Sequence, residues 1–217
     1  IRYNKTDLRV RTNIGELDAK AVIVTVSTYV LHSGQIDMPK GSACEVLEAI
    51  DGMPCGTYEK VAVELDNYPF DPSELESVWL QTNFQSKPLY FQILRNKKPV
   101  IIAHIAGRKA RELILDGNGR LEDLASEYLI SAFGSSMRKS IKRVAETAWQ
   151  TDPFIQGGYS YSKTSAAANR WKMNQFETDR IGFAGEAFSL PWYGTAHGAY
   201  QSGQDVAEQL MAQLTHS

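Results

Sequence analysis

The residues best suited to chemistry lie near the end of the sequence, where a short apolar run is followed by clustered glycines. Residues 182–186 are Gly-Phe-Ala-Gly-Glu, and residues 194–198 are Gly-Thr-Ala-His-Gly. An amphipathic run to Leu214 follows, so the pattern predicts a strand, a loop and a helix. A helix that begins on small residues presents free backbone N–H groups and the positive end of its dipole. The stretch therefore predicts a site for an anion or an electron-rich carbonyl group.

The elements that position this stretch come from both ends of the chain. Residues 8–20 alternate as a β-hairpin with its turn near Gly15. Residues 21–26 are a continuous β-branched run, which is typical of a strand covered on both faces. Residues 1–35 and 176–217 together have the pattern of an α/β layer.

The middle of the chain, residues 36–175, has the pattern of an antiparallel sheet with helices, and residues 166–171 resemble a linker. On the strand at 58–65, Lys60 is expected to point away from the face that carries Val61 and Val63. We predict an α+β or α/β chain in which this middle region is inserted between the two parts of a core domain. The predicted strands lie at 58–65, 78–82, 89–94, 99–105 and 141–149, and the predicted helices lie at 42–50, from Gly107 onward and at 121–133.

Composition limits the classes of partner. Among 217 residues the formal net charge is −2, so no basic field favours nucleic acid or an anionic membrane. No run of 18 apolar residues is present, so we expect no membrane span. The chain begins at Ile1 without Met or a leader pattern, which we interpret as a processed chain or a fragment. The compartment cannot be read from such a start, and a soluble, cytoplasmic protein is the expectation.

The cysteine and histidine residues do not form a recognisable site of their own in the sequence. Cys44 and Cys55 could form a disulfide, but two reduced thiols are the preferred interpretation. Neither cysteine has metal-ligand spacing, and His32 and His104 have no partners at such spacing, so no metal site is predicted.

Four separated motifs resemble the flavin-containing amine oxidase family, which includes monoamine, polyamine and L-amino-acid oxidases and the flavin-dependent histone demethylase. The first is Gly-x-Leu-x-Ala-Lys-Ala-Val-Ile-Val-Thr-Val at 15–26, and the second is Gly-Thr-Tyr-Glu-Lys-Val at 56–61. The third is Trp-x-x-Asp-Pro-Phe-x-x-Gly-Gly-Tyr-Ser-Tyr at 149–161, and the fourth spans 183–203. They occur in the family's order and cover nearly the whole chain, so the resemblance is specific.

One motif of that family has no counterpart in this sequence. The family begins with a βαβ unit whose Gly-x-Gly-x-x-Gly loop binds the FAD pyrophosphate. The glycine pairs Gly117/Gly119 and Gly157/Gly158 do not follow a buried strand and open a helix. The resemblance therefore implies the C-terminal part of an FAD-binding Rossmann-like domain, at 1–35 and 176–217, enclosing a substrate-binding domain of mixed antiparallel sheet and helices at 36–175. It implies that the N-terminal dinucleotide-binding unit is absent, and that a separate N-terminal FAD-binding polypeptide is a partner or the chain is a fragment.

The resemblance assigns cofactor-binding roles. Glu186 would accept hydrogen bonds from ribityl or ribose hydroxyls, although a helix-capping glutamate is the alternative. The backbone at the helix start would face the N1/C2=O edge of the flavin, where negative charge develops on reduction. Because Gly158 stands where monoamine oxidases carry the flavin-linking cysteine, FAD should be bound non-covalently. The implied cofactor-binding residues are Gly185, Glu186, Gly194, Thr195, Ala196 and Trp149.

The catalytic and substrate roles also follow from the resemblance. Lys60 matches the lysine that holds a water near flavin N5 and assists reoxidation by O₂, although an exposed strand lysine is the alternative. Tyr159 would form one wall of an aromatic cage for the amine. Thr195 stands where many relatives have the second wall, and Trp192 or Tyr193 could replace it. The family pattern places His197 in backbone packing rather than catalysis.

The implied reaction is hydride removal from the carbon bearing a neutral amine to flavin N5. The imine then hydrolyses, and O₂ reoxidises the flavin to give hydrogen peroxide. The expected partners are an amine, O₂ and FAD. A first alternative is a substrate-recognition or interaction module that is inactive without its N-terminal half, and a second is a related flavoprotein desaturase.

Overall fold

The computed structural model describes residues 1–4, 7–83, 87–95, 98–174 and 179–215. The chain forms two compact units, one of residues 1–56 with 151–217 and one of residues 57–150. These two units are defined by their compactness and not by any function. The assignment of residues 1–35 and 176–217 to cofactor binding, and of 36–175 to substrate binding, stays a prediction.

The first unit contains two small sheets. Strands β1 (Arg2–Asn4), β2 (Asp7–Thr12) and β3 (Gly15–Ala19) form an antiparallel sheet in that order, which confirms the predicted hairpin. Strand β4 (Val22–Val24) pairs in parallel with β10 (Ile181–Phe183). The run at 21–26 thus forms a shorter strand than predicted, and Ile23 is 38% exposed. The prediction that both faces of this strand are covered is wrong, because Val24 is buried on one face while Ile23 on the other face is exposed.

The helices of the first unit surround an apolar core. They are α1 (Thr28–His32), α2 (Ser42–Ile50), α6 (Asn169–Met173) and α7 (Ala196–Thr215), and α2 and α7 confirm the predicted helices. Short 3₁₀ turns lie at Thr164–Ala166 and Glu186–Phe188. The core includes Leu8, Val46, Ile50, Met53, Ile181 and Phe188.

The linker predicted at 166–171 is wrong, because this segment carries a 3₁₀ turn and α6. Arg170 and Met173 are buried, and the side-chain amide of Asn169 donates to the carbonyl of Ala49 at 2.7 Å. Tertiary contacts thus order a segment whose own sequence lacks a clear helical period.

The second unit is a five-stranded antiparallel sheet in the order β6-β7-β8-β5-β9. Its buried face packs on three helices, α3 (Gly107–Asp116), α4 (Arg120–Phe133) and α5 (Met137–Ser140). The predicted meander and the two longer helices are confirmed. The strands are β5 (Tyr58–Leu65), β6 (Ser77–Leu80), β7 (Leu89–Arg95), β8 (Pro99–Ala106) and β9 (Ile141–Glu146).

Strand β5 shows the predicted alternation. Val61, Val63 and Leu65 are at most 1% exposed and face the helices. Lys60 lies on the opposite face, as expected. Glu59 shares the buried face with the three apolar residues and is 1% exposed, which requires hydrogen-bond partners for its carboxylate.

Several further features bear on function. Both cysteines are free thiols, which confirms the preferred interpretation. None of the helices in the described part of the chain is long and apolar enough to cross a membrane. The described ranges also contain no group of three or more His, Cys, Asp or Glu residues that could hold a metal ion.

Candidate functional site

In the first unit the candidate site is organised by the carboxylate of Glu186. One oxygen accepts the amide N–H of Ser160 at 2.8 Å. The other accepts the Ser160 hydroxyl at 3.0 Å and the amide N–H of Gly194 at 2.7 Å. Gly185, immediately before it, has a φ of +136°, a conformation that favours glycine. Glu186 therefore joins the loop at 158–161 to the loop before α7.

The start of helix α7 presents backbone donors. Thr195 caps the helix, because its hydroxyl oxygen accepts the amide N–H of Gly198 at 3.1 Å and its carbonyl accepts that of Ala199. The structure records no acceptor among the described residues for the amides of Ala196 and His197, which are the first two of the helix. The helix begins where the sequence predicted, and these two amide N–H groups lie at its N-terminus.

The three aromatic candidates for substrate binding are all about half exposed. Tyr159 is 49% exposed, Trp192 54% and Tyr193 55%. A methyl group built at Gly194 would lie 3.5 Å from the Tyr159 ring, so these two residues are neighbours. The Trp192 ring contacts the imidazole of His197 edge-on, with centroids 5.1 Å apart. The expectation that His197 packs rather than reacts is consistent with this contact.

Arg170 lies beneath this loop, and sequence reasoning missed it. Its guanidinium carbon lies 4.4 Å from the centroid of the Tyr193 ring, and its side chain donates to the Ser160 hydroxyl at 3.1 Å. Burial lowers the pKa of Arg170, and the nearby Glu186 carboxylate opposes this effect. Arg170 belongs to none of the family motifs, and its segment resembled a linker, so the sequence did not indicate a role for it.

In the second unit the candidates Lys60 and Trp149 lie together. The ammonium nitrogen of Lys60 is 5.8 Å from the centroid of the Trp149 ring. The ring of Tyr58 is nearly parallel to that of Trp149, with centroids 6.4 Å apart. Lys60 pairs across the sheet with His104, and His104 pairs with Tyr90. A cation, an imidazole and three aromatic rings therefore share one face of the sheet.

Glu59 holds the segment that carries Trp149. Its carboxylate accepts the Thr147 hydroxyl, the amide N–H of Trp149 at 3.2 Å and that of Gln150 at 2.7 Å. The signal in the sequence was an acidic residue on the apolar face of β5, in register with Val61 and Val63. A carboxylate in such a position indicates backbone donors beside the strand.

His104 is the second residue of this unit that sequence reasoning did not select. Its Nδ1 atom shares a hydrogen bond with the Tyr58 hydroxyl. Its Nε2 atom is buried and has no partner among the described residues. Burial, and secondly the charge of Lys60, lower the pKa of His104 below its ordinary value of 6.5. The imidazole is therefore neutral at physiological pH.

We expect the protein to lose stability as the pH falls below 6.5, partly because of His104. A histidine with a lowered folded-state pKa binds protons more readily when unfolded, so its contribution is complete above the unfolded value and is lost on acidification. His104→Asn should reduce the slope of the melting temperature between about pH 5 and 7. An unchanged slope in this variant would contradict the assignment.

The family model described as flavin containing amine oxidoreductase matches residues 1–211. Polyamine oxidase 5 of Oryza sativa subsp. japonica is 28% identical over 222 residues, covering 99% of this chain and 43% of the relative. Lysine-specific histone demethylase 2 of Homo sapiens is 26% identical over 222 residues, covering 98% and 27% respectively.

Solved structures show the same fold. Cyclohexylamine oxidase from Brevibacterium oxydans IH-35A superposes with a TM-score of 0.77 at 17% identity, over 98% of this chain and 47% of that protein. Wild-type putrescine oxidase bound to putrescine gives 0.75 at 15% identity, over 97% and 47%. The mixed α and β fold is thus that of flavin amine oxidases, as predicted. The chain spans less than half the length of each of these relatives.

The motif resemblance is confirmed by the match over residues 1–211, and the predicted cofactor FAD is that of the matched family. The chain belongs to the flavin containing amine oxidoreductase family.

Proposed function

We propose that this chain is the C-terminal portion, or a subunit, of an FAD-dependent amine oxidase that converts an amine to an imine and transfers the electrons to O₂, giving hydrogen peroxide. FAD, when bound, supplies the hydride acceptor at its N5 atom. The observation that carries the proposal is the pair of free amides at Ala196 and His197, next to a Glu186 carboxylate that the fold holds in place. The family match over residues 1–211 supports it.

The residues of the first unit fit a flavin. The unpaired amides of Ala196 and His197, with the positive end of a 20-residue helix, suit a carbonyl group that gains negative charge. The carboxylate of Glu186 accepts three hydrogen bonds from the protein and has about four lone-pair sites, which leaves room for one hydroxyl. Gly158 offers no nucleophile for a covalent link, so the cofactor would be held non-covalently.

In the second unit, the proposed role of Lys60 is electrostatic. Its ammonium lies over the Trp149 ring, and the structure records no ion pair for it among the described residues. An ammonium without a carboxylate partner keeps its full positive field, which stabilises the negative charge that forms on O₂ as it accepts the first electron. Lys60 would also donate a hydrogen bond to a bound water. Trp149 would contact the flavin.

The substrate side is proposed from the exposed aromatic residues. Tyr159, Trp192 and Tyr193 each leave about half of their surface open, so they can offer ring faces to an amine. Thr195 has no ring and cannot form an aromatic wall; its hydroxyl instead caps α7 and donates to the Trp192 carbonyl at 2.5 Å. The substrate would bind as a neutral amine, for which no side chain need act as a base. Relatives named for polyamine, putrescine and cyclohexylamine oxidation support an amine substrate.

A further polypeptide segment with the dinucleotide-binding loop is part of the proposal. The parallel sheet of the first unit has two strands of three residues each, and Ile23 on β4 is exposed. Parallel sheets are normally larger and covered on both faces. Additional strands from an N-terminal FAD-binding segment, in the same chain or another, would complete such a sheet.

The proposal is tested on the complete protein with Lys60→Met. We expect the flavin absorbance to be retained and reduction by an amine to proceed. Reoxidation by O₂ should slow by about tenfold or more, because the positive charge beside O₂ is lost. Lys142→Met, which removes an exposed lysine paired with Asp66 on the same sheet, is the matched control and should reoxidise normally. Normal reoxidation of Lys60→Met would contradict the role of Lys60.

Two observations separate this function from the alternatives. A complete protein that is colourless and gains no flavin absorbance with added FAD would favour an interaction module. A panel of amines with a peroxide readout would identify the substrate class. Peroxide release with amines, and not with dehydrogenation substrates, would exclude the desaturase.

A further inference from the structure

Arg170 is the most deeply buried charged side chain near the candidate site of the first unit that the proposed chemistry does not use. It is 5% exposed. Its Nη1 atom donates to the Ser160 hydroxyl at 3.1 Å and to the carbonyl of Ala187 at 2.5 Å. Its Nη2 atom is buried and has no partner among the described residues. Burial of a guanidinium is costly, so its retention here requires a reason beyond packing.

A short chain of hydrogen bonds leads from Arg170 to the start of α7. The Ser160 hydroxyl accepts from Arg170 and donates to Glu186 at 3.0 Å. Glu186 in turn accepts the amide N–H of Gly194 at 2.7 Å, two residues before the first helical residue. Both oxygens of Glu186 act as acceptors in this chain, and the guanidinium of Arg170, which is a donor only, lies at its other end.

A second contact holds the same loop through the side chain of Tyr193. The guanidinium of Arg170 lies on the ring face of Tyr193, at 4.4 Å from its centroid. Tyr193 is therefore held through its ring by Arg170, and Gly194 is held through its amide by Glu186, to which Arg170 is linked by the Ser160 hydroxyl. Gly194 has a φ of +71° and little conformational restriction of its own, so an external restraint is what selects one geometry.

We propose that Arg170 is a positioning residue that, through Ser160, Glu186 and Tyr193, fixes the loop at 192–195 and hence the direction of the free amides at the start of α7. This inference rests on the proposed function only for what those amides bind. The positioning itself is a property of the chain. Removal of the guanidinium leaves the Ser160 hydroxyl without its donor and Tyr193 without its ring contact, which should free the loop while the strands of the unit remain paired.

Amide hydrogen exchange in the complete protein tests the proposal. In Arg170→Met, exchange in peptides that cover 193–200 should accelerate by about tenfold or more, while peptides that cover β10 keep their protection. The matched control is Lys172→Met on the same short helix, where the side chain is exposed and exchange should not change. Unchanged exchange at 193–200 in Arg170→Met, or equal acceleration in β10, would overturn the positioning role.

Two further variants keep the test decisive if Arg170→Met does not fold. Ser160→Ala removes the hydroxyl link but leaves the backbone N–H that donates to Glu186, so it should accelerate exchange at 193–200 by a smaller factor. Glu186→Gln would place an NH₂ group against one of the two backbone donors, Ser160 or Gly194, so it should also accelerate exchange at 193–200. Equal exchange in Ser160→Ala and the wild type would count against the relay.

The affinity for FAD provides the link to the proposed function. If the amides at the start of α7 bind the flavin, Arg170→Met should weaken FAD binding, measured by quenching of flavin fluorescence, by about tenfold. A protein that never binds FAD would refute the proposed function and leave the exchange result unaffected. Faster exchange at 193–200 with unchanged FAD affinity would show that the loop is positioned by Arg170 but does not hold the cofactor.

Discussion

Gly198→Ala is expected to destabilise the protein by about 2–3 kcal/mol, because α7 and the preceding loop approach too closely for a side chain. A methyl group at this position would lie 2.1 Å from the carbonyl oxygen of Trp192. That carbonyl cannot move freely, because it accepts the Thr195 hydroxyl at 2.5 Å, and the same hydroxyl caps the helix. The substitution therefore affects the cap and the free amides together.

The same helix supplies a matched control for this prediction. A methyl group at Gly203 would have no atom within 4 Å, and the residue lies inside α7. Gly203→Ala should stabilise the protein by about 0.5–1 kcal/mol, because alanine restricts the unfolded chain and favours the helix. Urea unfolding of the two variants compares them directly. Similar stability of Gly198→Ala and Gly203→Ala would contradict the close approach at Trp192.

The second large effect is expected at Glu59, where substitution by alanine should cost about 3 kcal/mol or more. The hydroxyl of Thr147 and the amides of Trp149 and Gln150 would each lose a buried acceptor. A buried donor left unsatisfied costs about 1–3 kcal/mol, these donors are partly buried, and the cavity left by the fully buried Glu59 side chain adds to the loss. Apolar substitution thus fails on the apolar face of β5, where hydrophobicity alone would favour it.

Two further variants, Glu59→Gln and a substitution of an exposed glutamate, separate the loss of hydrogen-bond acceptors from the loss of a negative charge. The amide that Glu59→Gln introduces would keep one acceptor oxygen but would place an NH₂ group against a backbone donor, so an intermediate loss is expected. Glu112→Gln on α3 alters an exposed residue whose nearest cation, Arg108, is 3.7 Å away, and should change stability by less than about 0.5 kcal/mol. Thermal unfolding provides the measurement. Equal stability of Glu59→Ala and Glu112→Gln would show that the three donors find other partners.

Much of the local structure was predictable because periodicity and motif order are properties of neighbouring residues. The alternation along β5 placed Lys60 away from Val61 and Val63, and the structure has this arrangement. The run after Gly194 predicted α7, and the four motifs predicted the family. The roles of the named cofactor, catalytic and substrate residues stay predictions that the variants above can test.

The residues that sequence reasoning missed, Arg170 and His104, were missed for the same physical reason. Arg170 lies in a segment without a helical period, and its surroundings come from Ser160, Ala187 and Tyr193, which are 10 to 23 positions away along the chain. His104 lacked partners at metal spacing in the sequence, yet strand pairing places it beside Lys60, 44 positions earlier. Hydrogen bonds, cation–π contacts and strand pairing of this kind depend on distance in space, which no local pattern contains.

The sequence by itself determined the family, the order of the longer strands and helices and the glycines that allow close approach, because these depend on residue type and spacing. Only the tertiary structure decided which charged side chains and donors act together. Folding brings three donors to Glu186 and links it to Arg170 of α6 through the Ser160 hydroxyl, and it places the segment that carries Trp149 beside Glu59. A buried carboxylate is stable only where donors converge on it, and that convergence exists only once the chain has folded.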